Sequence, residues 1–484
     1  MPTHPDPLDL VRQGLAALDA WEASFGSVEP HPALAVDADR LAGTVDEYLG
    51  RMTAPPRGET PGMYPFGHPR YAGQMLKPPH PVALAAYAAA ARINPNNHAL
   101  DGGPPTSAME KEVMGWLAEM FGFSAHLGHL TGGGTVANLE ALFVAREETG
   151  GRAVAVSAEG HYTHARMSGV LGVECDSVAT DRAGRIDLDA LEDTLRRGNV
   201  GTVVLTAPTT GLGAVDPIAD AVPLCRRYGA RVHVDAAYGG FFSILAHADA
   251  PAESDGQPLS RDVARHLRAI RDADSVVVDP HKHGLQPYGC GAVLFADPAV
   301  GRHYRHDSPY TYFTSDALHL GEISLECSRP GAAAGALWLT LKALPLSATG
   351  GLGPILAAGL RAARRFHHAL TEADHLAPVL APETDIVVYA PHAESLREID
   401  ARSAAVFQRG MDDPDDPVFV SLFRVGAGQL RAAFPGLNET DGAARVLRSV
   451  LMKPEHEAWA ARLAARLDGL AGEVGAGRPA PPTA

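Results

Sequence analysis

From Leu8 to Leu49 the apolar residues recur at the three-and-four spacing of helices, but too thinly to form a core of their own. The Pro- and Gly-rich stretch Thr53 to Pro69 follows, so this segment is expected to pack on something else. The longest apolar run, Val82 to Ala91, predicts a buried helix, and it falls well short of the roughly 20 residues that a membrane-spanning helix needs. Between Thr106 and Phe121 a further helix places Met109, Val113, Trp116, Leu117 and Met120 on one face, with Thr106 or Ser107 able to cap its start.

The middle of the chain alternates short apolar runs with helical patterns, which predicts a mostly parallel sheet flanked by helices. The runs are Ala153 to Ser157, Val203 to Thr206, Val232 to Val234, Ser275 to Val278 and Ala292 to Phe295, and the helical candidates between them are Asp189 to Arg197, Ile218 to Tyr228 and Ser260 to Arg271. Such sheets hold ligands at the carboxyl ends of their strands, so the residues just after these runs are where chemistry is expected. After about Pro345 the pattern predicts a helix over Ile355 to Glu372 and strands over Asp385 to Tyr389, Val418 to Arg424 and Gln429 to Phe434. Helices near Gly442 to Leu451 and His456 to Leu470 then complete a smaller C-terminal α+β domain. The division expected is 1–90, 91–345 and 346–472, with 473–484 as a disordered tail.

Composition narrows the class. The 484 residues suggest two to four compact units, and 46% hydrophobic with 20% charged residues is globular, neither disordered nor fibrous. With 41 Lys and Arg against 57 Asp and Glu the net charge is −16, and no basic stripe stands out, which argues against a nucleic-acid partner. MPTHPDPLDLV has neither the basic nor the apolar region of a secretory signal. Cys175, Cys225, Cys290 and Cys327 are too widely spaced for a zinc cluster or a disulfide framework. A cytoplasmic enzyme without a metal and without a membrane anchor is the expectation.

Four segments carry candidate chemistry. In DPHKHG, Asp279 to Gly284, a lysine follows the apolar run DSVVV, where desolvation and neighbouring positive charge favour the free amine that imine formation requires; the plain alternative is a snorkelling surface lysine. In HVDAAYGG, Asp235 follows a strand and can keep a pyridine nitrogen protonated, although alone it could equally ligate Mg²⁺ or cap a helix. In HLTGGGTVANLEAL, the glycines Gly132 to Gly134 and Thr135 open a helix over Val136 to Arg146, which makes a phosphate cup without a Walker lysine or a dinucleotide spacing. In EGHYTHARM, His161 or His164 can stack on a flat ring or simply bond the backbone, and no partner at metal-ligand spacing accompanies them.

The order of phosphate cup, histidine, aspartate and lysine, each after its own strand, resembles the pyridoxal-phosphate-dependent group II amino acid decarboxylases over about Pro65 to Leu451. That resemblance implies an α/β fold-type I enzyme (aspartate aminotransferase-like), with 1–90 packing on a dimer partner, 91–345 binding pyridoxal 5'-phosphate and 346–472 as the small domain. It implies Lys282 as the Schiff-base lysine, His281 on the phosphate, Asp235 on the pyridine nitrogen, Ala237 against the ring and His161 stacked on it, with His164 behind the site. Gly133, Gly134 and Thr135 match the phosphate cup, and PTTGLGAVDPI places Thr210 beside the cofactor. Asp279 stands where many members have Asn, so it is not expected to touch the phosphate.

The proton donor to Cα is expected in RHDSPYTYFTSD, where Tyr310 and Tyr312 are both eligible, and Arg431 in QLRAAFPGLNE resembles the arginine that binds the substrate carboxylate. The implied reaction is loss of the α-carboxylate of an L-amino acid as CO₂, giving the amine, in a homodimer. A carbon–carbon lyase of the sphingosine-phosphate-lyase type and a non-catalytic relative are the alternatives. The loop NPNNHALDGGPPTSAMEKEV has its own wording, so the amino acid is not read from it.

Overall fold

The computed structural model describes residues 6–56, 62–247, 258–304 and 318–477. The inner strands of its central sheet are buried on both faces, which is why Val200–Thr206 and Ser275–Val278 carry no polar alternation. Seven strands contribute: β1 (Leu127–Thr131), β2 (Ala153–Ser157), β3 (Cys175–Val178), β4 (Val200–Thr206), β5 (Arg231–Asp235), β6 (Ser275–Val278) and β7 (Gly291–Phe295). Their order is β1-β7-β6-β5-β4-β2-β3. Only β7 runs against its neighbours, and the other adjacent pairs are parallel. Consequently β1, β2, β4, β5 and β6 all end on the same edge of the sheet, and the segments after them meet there.

A second, antiparallel sheet of β8 (Leu376–Pro378), β9 (Ile386–Pro391), β10 (Ser421–Gly426) and β11 (Ala443–Val450) has the order β10-β11-β9-β8. Helices Leu352–Thr371, Leu396–Asp412 and His456–Gly475 accompany it, and Phe366, Tyr389, Leu447 and Leu467 are among the side chains of its core. An early piece of chain is stitched onto this sheet. The Ala72 N–H donates to the Phe419 carbonyl at 2.7 Å and the Ala72 carbonyl accepts from the Val450 N–H at 2.8 Å.

The structure revises several elements. Gln429 to Phe434, expected as a strand, lies in helix Ala427–Ala433, because Ala427, Leu430 and Phe434 all face inward at helical spacing. Gly442 to Leu451, expected as a helix, contains β11, whose inner position in the sheet buries both faces from Val446 to Val450 and removes the strand alternation there. β1 and β3 were not expected at all. The helix Pro81–Ile93 is only partly buried, with Leu84 45% exposed. Near the N-terminus, helices Pro7–Ala23 and Ala38–Thr53 contain no buried residue. The first is tied to this chain by Arg92, which donates to both carboxylate oxygens of Glu22 at 2.9 and 2.6 Å. The last helix runs to Gly475, into the stretch read as a tail, and 478–484 lie outside the described residues.

Candidate active site

Asp235 ends β5 with its carboxylate buried. Oδ2 accepts from His164 Nε2 at 2.8 Å, and Oδ1 accepts from the Ala237 N–H at 3.1 Å. Burial alone would push this carboxyl up, but the hydrogen bond and charge of His164, with the Ala237 amide, outweigh it and hold Asp235 well below the usual carboxylate range. His164 therefore orients the aspartate from behind. Two residues before Asp235, His233 places Nε2 2.9 Å from Asn138 Oδ1 and Nδ1 2.8 Å from Ser275 Oγ. Burial lowers that imidazole to about 3, which keeps it neutral beside the pair.

Lys282 follows β6, and its Nζ lies 3.0 Å from Asp279 Oδ2. This differs from the surroundings expected from the sequence. The nearest charge is a carboxylate, while burial drives the flanking His281 and His283 towards neutrality. The departure from Asn at position 279 thus has a visible partner in the lysine. Asp279 is itself anchored, its N–H donating to the Ala237 carbonyl at 3.0 Å.

The glycine segment after β1 opens helix Gly134–Thr149, and Gly133 at its N-cap adopts φ +143°, in the region that favours glycine. A Cβ on Gly134 would come within 2.7 Å of Asp279 Oδ2 and 3.2 Å of the Ala237 Cβ. Because no side chain caps this helix, its first N–H groups are left for an anion. After β2, His161 Nδ1 lies 2.7 Å from Thr163 Oγ1, and burial lowers its basicity, offering a neutral ring face to the cleft.

Gly133, Gly134, Thr135, His161, Thr210, Asp235, Ala237, His281 and Lys282 all line one cleft of about 380 Å³. Thr206, Asp279 and His281, also in its wall, each keep one buried polar atom without a hydrogen-bond partner. An uncapped helix start, an ionised carboxylate and a lysine amine on one small cleft fit a phosphorylated pyridine aldehyde. Asn138, Tyr162, Pro208 and Tyr238 line the cleft too and were not singled out from the sequence. Tyr238 and Asn138 sit inside the motifs HVDAAYGG and GGGTVAN.

Arg431 does not line this cleft. It is exposed on helix Ala427–Ala433, at a neighbouring cleft that Glu159, Asp181 and Arg182 share. Tyr310 and Tyr312 lie outside the described residues. Among the described residues no group of three or more His, Cys, Asp or Glu could hold a metal ion, and no helix is long and apolar enough to cross a membrane.

Residues 61–389 match the family described as the pyridoxal-dependent decarboxylase conserved domain. The chain belongs to this family. It is a pyridoxal-phosphate-dependent amino acid decarboxylase of fold type I, and the resemblance seen in its motifs was to the right family. The decarboxylase is 28% identical to a probable L-tyrosine/L-aspartate decarboxylase of Methanothermobacter thermautotrophicus over 68% of this chain and 87% of that one. It is also 28% identical to the L-tyrosine decarboxylase of Enterococcus faecium over 69% and 68% of the two chains. Among solved structures it resembles mouse CSAD (TM-score 0.73, 20% identity, 96% and 92% of the chains covered). Oryza sativa TDC with PLP and tryptamine is as similar, with TM-score 0.73, 18% identity and 97% and 99% coverage.

Proposed function

We propose that this decarboxylase removes the α-carboxylate of an L-amino acid, releasing CO₂ and the amine, with Lys282 as its Schiff-base residue. The observation that carries the reading is the cleft itself. The Lys282 amine, the ionised Asp235 and the uncapped start of helix Gly134–Thr149 all line it. Bound there, pyridoxal 5'-phosphate supplies an electron sink for the pair left when CO₂ departs.

The chain's own residues do the rest. The N–H groups of Gly134 and Thr135, with His281 nearby, would hold the phosphate. Asp235, kept ionised by His164, would hold a proton on the cofactor's ring nitrogen, and His161 and Ala237, which line the same cleft, would flank the ring. Asp279 Oδ2, 3.0 Å from Lys282 Nζ, orients that side chain. Borohydride reduction of the yellow protein should leave a pyridoxyl group on the peptide containing Lys282; an adduct on another lysine would sink the assignment.

The finer assignments extend that reading. Tyr310 or Tyr312 delivers the proton to Cα, and Arg431 binds a substrate carboxylate from the neighbouring cleft. One of Tyr310→Phe and Tyr312→Phe should abolish amine formation while substrate still binds. Arg431→Met should weaken substrate binding by about 1.5 to 3 kcal/mol. Full amine output in both Phe variants, or wild-type kinetics in the Met variant, removes the residue concerned. The relatives are named for tyrosine, aspartate and, in Rhizobium meliloti, L-2,4-diaminobutyrate, so these head a screen that follows CO₂ from a labelled α-carboxyl carbon. We place the enzyme in the cytoplasm as a homodimer.

A further inference from the structure

The turn that presents Lys282 to the cleft sends its neighbour the other way. His283 is buried, its ring beside Tyr238 and Phe242 at centroid distances of 4.7 and 4.8 Å. Its Nε2 lies 3.1 Å from Oδ2 of Asp385, close enough to pair though not aligned as a full hydrogen bond, and Nδ1 has no hydrogen-bond partner. That is an uncommon state for a buried imidazole, because the unmet desolvation is costly.

Asp385 comes from the C-terminal unit, immediately before β9, and is fully buried. Its Oδ1 accepts from the Tyr238 hydroxyl at 2.9 Å. Tyr238 lines the cofactor cleft three residues after Asp235. Hence a single carboxylate of the smaller unit meets both the segment that carries Lys282 and the segment that carries Asp235. Its own backbone is held, since the Asp385 carbonyl accepts from the Leu451 N–H at 2.7 Å and the neighbouring Thr384 hydroxyl donates to the Gly213 carbonyl at 3.0 Å. The lysine turn has little slack: a Cβ on Gly284 would come within 2.7 Å of the Pro280 backbone and 2.8 Å of the Phe241 ring, and Leu285 sits at φ +62°. A turn packed this closely would pass a shift of His283 to Lys282 rather than absorb it.

We propose that Asp385 is a positioning residue for the decarboxylation: by holding His283 and Tyr238 it sets the direction in which Lys282 Nζ is presented. This rests on Lys282 carrying the cofactor. The charged and titratable groups facing Asp385 are His283, Tyr238, Lys77 from the segment before helix Pro81–Ile93, and Arg448 from β11.

The test uses the holoenzyme. Asp385→Asn keeps an oxygen for the Tyr238 hydroxyl, Asp385→Leu removes both contacts, and His283→Leu removes the ring nitrogens while keeping an apolar side chain in the pocket. Each variant is read by its unfolding midpoint without cofactor, by the pH midpoint of the cofactor absorbance band, and by kcat and KM separately. Asp385→Leu and His283→Leu should shift the pH midpoint and lower kcat roughly ten- to a hundredfold with KM little changed, as expected when a reacting group is misplaced by a fraction of an ångström to an ångström. Asp385→Asn should recover most of kcat. A folded Leu variant at either position with wild-type kcat and band titration overturns the proposal. If Asp385→Leu fails to fold, His283→Leu decides in the same way. Failure of the underlying reading shows separately, as a wild-type enzyme whose borohydride adduct is not on Lys282.

Discussion

Single residues in this fold carry pH dependence that the active site does not explain. His456 is fully buried; its Nδ1 accepts from the Lys453 N–H at 3.3 Å and its Nε2 donates to the Pro69 carbonyl at 3.1 Å, a pattern that specifies the neutral ring. Burial lowers it from 6.5 to about 3, as it does His233. Between those values the unfolded chain binds a proton that the native ring refuses, so stability is lost as pH falls from about 6.5. Each histidine should cost roughly 2 kcal/mol between pH 7 and pH 5. Asp216, pushed up to about 7 by burial against amide bonds from Ile186 and Thr206, works in the opposite sense. The expected outcome is therefore comparative: His456→Gln should lose less stability than the wild type between pH 7 and pH 5 in urea unfolding. Parallel losses in the two proteins would show that His456 contributes nothing to the slope.

Among the elements, helix Pro104–Phe121 is fastened to β1 by a buried charge. Glu110 accepts from the Leu130 N–H at 2.8 Å and from Asn97 Nδ2 at 2.7 Å, and it pairs with Arg329, which also donates to the Leu130 carbonyl at 2.7 Å. Glu110→Ala strands the Arg329 guanidinium and should cost about 3 to 5 kcal/mol, whereas Glu110→Leu with Arg329→Met should cost less than the single change; equal losses would refute the ion-pair account. Nothing in the sequence joined these two residues, because they are more than two hundred positions apart. Elements bounded by local pattern were legible: β2 and β6 fall where the apolar runs do. β1, LGHLT, was not, since Gly128 and His129 break its apolar run and its burial comes from pairing with β7. The candidate site was legible where each motif follows its strand. Asp385 and Arg448 were not, because they reach the site from another unit, Arg448 donating to the Thr210 carbonyl at 2.6 Å.

At the scale of the whole molecule, helix Ala38–Thr53 is fully exposed and carries Leu41, Val45, Tyr48, Leu49 and Met52 on its surface. An exposed apolar stripe of that extent is what a second copy of the chain would cover. Deleting residues 1–56 should give aggregated or cofactor-poor protein by sedimentation and absorbance, and a well-behaved, active monomer would rule out the homodimer built through this segment. The stitch of Ala72 to Phe419 and Val450 has a different consequence, in the order of synthesis. Ala72 leaves the ribosome early, while Phe419 and Val450, which hold it, are made near the end, roughly 20 to 75 s later at about 5 to 20 residues per second. The C-terminal unit therefore reaches its full backbone hydrogen bonding only with a piece of chain made long before it. It closes by capturing a piece of chain that has waited through the making of the larger unit, and expressing residues 346–477 alone would leave the places of Ala72 and its neighbours on that sheet unfilled.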